Sequence, residues 1–119
     1  MINLDTHILV FALAGTVTER ERRILAANPW SVSAVVWWEL AKLAQLGRID
    51  LDLEDGVVAR LLSALHVWPL TLAVGIQSTR LDFRGDPADE LIAATSVVNK
   101  VPLLTRDRKI RASRLVPFA

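Results

Sequence analysis

The chain contains no cysteine, which excludes a disulfide framework, a zinc ribbon and thiol catalysis, and suits a reducing cytoplasm. No apolar run approaches the roughly 20 residues needed to span a bilayer. The opening Met1-Ile-Asn-Leu-Asp5 meets an acid with no charged segment before it. A soluble, unexported protein is expected. An excess of one charge is missing too: fourteen Lys and Arg stand against thirteen Asp and Glu, so whole-molecule charge says little about partners. No internal repeat, low-complexity tract or interdomain linker interrupts the chain, and 119 residues fit a single domain with one core, residues 1–119.

What is present is apolar and locally basic. Apolar residues make up 52% of the sequence, with tryptophan at 30, 37, 38 and 68. So small a core is not expected to bury all of these, which points to apolar surface that meets another chain. From Lys100 to Arg114 six cations (Lys100, Arg106, Arg108, Lys109, Arg111, Arg114) surround one acid, Asp107, a local charge of +5. A solvated C-terminal helix would look like this, and so would a surface that binds a phosphate polymer.

Short β-branched runs alternate with helical patterns. Strands are predicted at Ile2–Asp5, Trp30–Ala34, His66–Leu70 and Val101–Thr105, with a marginal fifth at Leu115–Phe118. Between them lie a helix capped by Thr6 and ending near Gly15, another over Thr18–Asn28 opened by a Thr18/Glu21 capping box, and a long amphipathic helix from Val35 to Gly47. Further helices start at Gly56, at Thr71, and at Pro87 with Asp86 as its N-cap, and a short one follows Asp107. This alternation argues for a parallel sheet covered on both faces.

In such a sheet ligands bind at the carboxyl ends of the strands. Asp5 ends the first strand. Ser33 ends the second, with Glu39 six residues on; Thr105 ends the fourth, with Asp107 two residues on; Asp89 is the third residue of the helix before that strand. Each acid has a plain structural use: Asp5 and Asp107 at helix starts, Asp89 in a capping box with Asp86, Glu39 paired with Lys42. Together they imply more. Two unit charges roughly 4 Å apart repel by about 4 kcal/mol at an effective dielectric of about 20, so four clustered carboxylates call for a divalent cation. All-oxygen ligands select Mg²⁺ or Mn²⁺ over zinc. His7 is expected to point away along its helix, and His66, at the start of a strand, to be structural.

The segments INLDTHILVFAL, SVSAVVWWELAKLAQLGRIDL and DPADELIAATSVVNKVPLLTRDRKI resemble a PIN-domain ribonuclease, in particular the VapC toxins of VapBC toxin–antitoxin pairs. The resemblance runs from residue 2 almost to the C-terminus. It implies a three-layer α/β/α fold with a five-stranded parallel sheet in the order 3-2-1-4-5. It places the family's acidic roles on Asp5, Glu39, Asp89 and Asp107, with Thr6, Ser33 and Thr105 as hydroxyls that orient ligands or water. Asp86 matches the first acid of the DPxD segment, for which the N-cap role is preferred, and Ala88 is smaller than the family's usual apolar residue. The expected activity is endonucleolytic cleavage of RNA with one or two Mg²⁺ or Mn²⁺ ions, Arg106, Arg108, Lys109 and Arg111 holding flanking phosphates. Homodimerisation and a VapB-like antitoxin are also implied. A haloacid-dehalogenase-type enzyme would need an acid where His7 stands, and a receiver domain an acid near Leu70 and Thr71. A PIN-like scaffold that binds RNA or protein without cutting remains the alternative.

Overall fold

The computed structural model describes all of residues 1–119. Four strands, β1 (Ile2–Leu4), β2 (Trp30–Ser33), β3 (His66–Trp68) and β4 (Leu103–Leu104), form one parallel sheet in the order β3-β2-β1-β4. Side chains of a strand point alternately to opposite faces, yet every residue of β1 is buried, so both faces of the sheet are covered. Leu4, Val32 and Leu103 are fully buried at the centre of the core. Ser31 ties the sheet laterally: its Oγ donates to the Ile2 carbonyl and accepts from Trp68 Nε1, both at 2.8 Å.

The expected fifth strand is reduced to a single parallel bridge between Leu103 and Phe118. The Leu103 amide donates to the Pro117 carbonyl and Ala119 donates back to Leu103. A longer ladder lacks donors. Pro117 has no N–H, and the amides of Leu115 and Val116 are taken by Ser113 Oγ at 3.1 and 3.2 Å. Ser113 is itself held through its hydroxyl by Asp82 at 2.6 Å.

Seven helices complete the chain: α1 (Thr6–Ala14), α2 (Glu19–Ala27), α3 (Val35–Gln45), α4 (Gly56–Ser63), α5 (Leu72–Ser78), α6 (Pro87–Asn99) and α7 (Arg108–Arg111). Thr6 does not cap α1. Asp5 does, its carboxylate accepting from the Thr6 amide, and Gly15 ends the helix at φ 73°, a left-handed conformation open to glycine. The α2 capping box forms in both directions between Thr18 and Glu21. Helix α6 is the central one, with Ala88, Ile92, Ala93, Ala94, Thr95 and Ser96 buried; the small Ala88 lies within the core. Helix α4 is the opposite case. It buries no residue and stands between two apolar hollows of about 410 and 330 Å³ that share Leu62 and Leu65.

Candidate active site

The parallel order turns at the β1/β4 junction, since the chain leaves β1 for β2 on one side and returns to β4 on the other. A cleft opens at the carboxyl ends of strands at such a junction. The backbone puts Asp5 there directly, as the residue after β1 and the N-cap of α1. Its Oδ1 accepts from the Thr6 amide at 2.8 Å and its Oδ2 from the Thr105 hydroxyl at 2.6 Å. Thr105 in turn accepts the Asp107 amide at 3.0 Å, which fixes the direction of its own O–H toward Asp5. One threonine therefore locks the acids after β1 and β4 together.

Asp107 serves α7 as N-cap through Oδ1, which accepts from Ile110 N at 3.0 Å; its other oxygen is free. Glu39, from α3, accepts the Thr6 hydroxyl rather than pairing with Lys42, which donates instead to Gln45. Asp89 and Asp86 come from the start of α6. Asp86 occupies the expected N-cap position, with Pro87 following it, but makes no side-chain capping bond, so the capping box with Asp89 does not form. Instead its carboxylate faces the others. Asp5, Glu39, Asp86, Asp89 and Asp107 line one pocket of about 410 Å³ together with His7, Ile8, Phe11 and Arg106.

His7 was expected to point away, but because α1 begins at Thr6, residue 7 falls in its first turn at the rim and joins the pocket wall. Its charge favours the ionised forms of Asp5 and Glu39. His66 packs edge-on against Trp68 at 4.3 Å, far from the acids in the sheet order. Ser33 is not part of the pocket; its hydroxyl is fully buried and accepts the Val35 amide at 3.4 Å, supporting the start of α3.

The electrostatics follow from burial and crowding. Removal from water raises Asp5, opposed by its bonds from Thr105 and Thr6, and Asp107 adds to the rise. Glu39 is raised by burial in the same way, with Asp5 and Asp86 adding to it. Asp89 is pushed up to about 7, first by burial and then by the charges of Asp5, Glu39, Asp107 and Asp86. Perturbation of this kind marks groups gathered for chemistry or for a cation.

The four cations chosen from the basic segment divide. Arg106 turns to Glu21 of α2, with Nε to Oε2 at 2.8 Å and Nη2 to Oε1 at 2.6 Å. Arg111 leans on Phe118, 5.5 Å from the ring centroid, and on the Thr105 carbonyl. Arg108 and Lys109 have no ion-pair partner and line a second pocket of about 270 Å³ with Phe83, Gly85 and Ile110; Asp86, Asp89 and Asp107 are its wall toward the first.

A divalent ion would meet mainly carboxylate oxygens, with the His7 imidazole at the wall, and several of these oxygens have no protein donor: those of Asp86 and Asp89, and one oxygen each of Glu39 and Asp107. That donor set suits Mg²⁺ or Mn²⁺. As the side chains lie, no three of the acids and histidines are grouped closely enough to grip one ion.

The fold and site thus define a class, parallel α/β proteins with a carboxylate pocket at the sheet's switch point. Within it, the PIN domain model matches residues 2–114, and the chain belongs to the PIN-domain family. It is 37% identical over 123 aligned positions to Ribonuclease VapC22 of Mycobacterium tuberculosis (strain ATCC 25618 / H37Rv), an alignment spanning 93% of this chain and 90% of that protein. Its fold is similar to that of a toxin-antitoxin complex from Klebsiella pneumoniae (TM-score 0.73, 21% identity, 94% of this chain and 91% of the other). It is also similar to VapBC2 from Rickettsia felis bound to a promoter DNA fragment (TM-score 0.74, 18% identity, 100% and 98%).

Proposed function

We propose that this chain is a VapC-type toxin, a metal-dependent endoribonuclease held in check by a VapB-like antitoxin. The observation that carries this reading is the convergence of five carboxylates from four places in the chain on one pocket, in a PIN-domain protein related to a named ribonuclease. Asp5, Glu39, Asp89 and Asp107 would hold one or two Mg²⁺ or Mn²⁺ ions, with Asp86 beside them. Bound there, the metal supplies Lewis acidity toward a phosphodiester and lowers the pKa of water. The chain's own groups do the rest. Asp5, clamped by Thr6 and Thr105, keeps one orientation; the Thr6 hydroxyl orients Glu39; Arg108 and Lys109 hold phosphate next to the acids.

The partners follow from surface chemistry. Trp38 and Leu46 of α3 and its end, and Leu72 of α5, are exposed at 59%, 60% and 80%, which supports contacts with a second copy and with an antitoxin. No helix is long and apolar enough to cross a membrane, and a cytoplasmic location fits an RNA substrate. The looser spacing of the acids favours one second reading, a PIN-like scaffold that binds RNA or protein without cutting it. Incubating the purified, antitoxin-free protein with total cellular RNA in Mg²⁺ or Mn²⁺ separates the two. The nuclease gives discrete fragments that vanish with EDTA and with Asp5→Asn, whereas the scaffold leaves RNA intact while the protein is folded.

A further inference from the structure

We infer that Glu21 is a positioning residue for RNA: it holds Arg106 as a preformed phosphate contact on the α1 side of the acidic pocket, opposite Arg108 and Lys109. This rests on the nuclease reading and adds a device outside the acids. Arg106 directly follows the threonine that clamps Asp5, and it lines the acidic pocket itself. One edge and one face of its guanidinium are fixed. Nε and Nη2 meet both oxygens of Glu21, and the plane lies 4.0 Å over the Phe11 ring. Nη2 also donates, at 3.4 Å, to the Thr16 carbonyl, and Nη1 has no protein partner.

Glu21 is built for holding. Its side chain is 8% exposed against 40% for Arg106, and its Oε1 also accepts the Thr18 amide at 2.9 Å, so the capping box of α2 anchors the carboxylate that anchors the arginine. A planar fork gripped along one edge keeps the other edge pointed in a set direction at little further loss of side-chain freedom. Asp86, Asp89 and Asp107 form the wall common to this pocket and to the one holding Arg108 and Lys109. A single strand crossing that wall would place the reacting phosphodiester at the acids, with one flanking phosphate on the fixed Arg106 and the next on the unpaired Arg108 and Lys109.

The test uses the sign of a charge change. Glu21→Gln removes a negative charge beside a polyanion site, so electrostatics alone would tighten RNA binding; if Glu21 positions Arg106, binding weakens. Affinity for a short single-stranded RNA is read by fluorescence anisotropy in the Asp5→Asn background, independently of cleavage, and KM and kcat in the otherwise native protein. Expected are a rise of about fivefold in Kd and KM for Glu21→Gln with kcat little changed. Arg106→Lys, which keeps the charge but not the fork, should match it, and Arg106→Gln should lower the salt slope of log Kd by about 0.7. Equal or tighter binding by Glu21→Gln, or full affinity in Arg106→Lys, would overturn the inference and leave the pair as a brace for α2. Absence of cleavage by the native protein would instead strike the nuclease reading, with the binding series still deciding the role of Glu21.

Discussion

Thr105 carries more of the site than its size suggests, because its hydroxyl joins the acids after β1 and β4. Thr105→Val leaves Asp5 buried with one donor fewer, an expected loss of about 1–3 kcal/mol that urea denaturation would measure. Since the missing bond favours the ionised carboxylate, the loss should be larger at pH 8 than at pH 4. Asp89 makes the opposite contribution. Its folded pKa of about 7 lies above the ordinary 3.8, so the folded state binds the proton more tightly, and stability falls as pH rises from about 4 through 7. In EDTA, Asp89→Asn should therefore melt higher than the native protein at pH 8 and differ little at pH 4, while cleaving no RNA. At this scale the acids were legible from the sequence, since strand ends locate them. The pairing of Glu21 with Arg106 was not, because nothing local links residues 85 positions apart; nor was the turning of His7, and of Asp86 from its expected N-cap position, into the pocket wall, because their direction depends on where the helices start.

Among the elements, local signals served best where they were self-contained. The Thr18/Glu21 box, Gly15 and Pro87 mark real boundaries. The C-terminal strand failed because its amides are claimed by Ser113, a hydroxyl tethered from Asp82 on another loop, and alternation of side chains does not reveal such competition. Helix α4 is correctly placed by its pattern, yet it rests between two hollows with nothing buried. Its amides should exchange with solvent before those of α6 in hydrogen-exchange measurements. Docking of an antitoxin segment into either hollow should slow that exchange without changing α6. Helix α2 should respond to acid. Glu21 is lowered to about 2 from 4.5, first by its bonds from Arg106, so its contribution is present above pH 4.5 and is lost as pH falls through about 2. Glu21→Gln should flatten the stability profile over that window in thermal melts.

For the whole molecule, the alternation of strands and helices conveyed the parallel sheet, while the strand order, which holds through the fourth strand, came only with the resemblance to the PIN-domain family carried by segments along the chain. On assembly the sequence offered an excess of apolar residues and, through the resemblance, an implied homodimer and antitoxin, but not which side chains form the contacts, because that depends on how apolar residues are shared between core and surface. Trp38 and Leu72 are left outside, and light scattering should find a dimer that Trp38→Glu or Leu72→Glu weakens. If the acids at the β1/β4 junction form one divalent-cation site, calorimetric titration of the antitoxin-free protein with Mn²⁺ or Mg²⁺ will detect it. Near pH 6.5, where Asp89 is largely protonated, binding should release protons, seen as heats that vary with buffer ionisation. Asp5→Asn and Asp89→Asn should each weaken binding by about tenfold or more. A folded protein that takes up no ion at millimolar concentration, or that binds equally well without Asp5 and Asp89, would mean that these acids do not form a cation site.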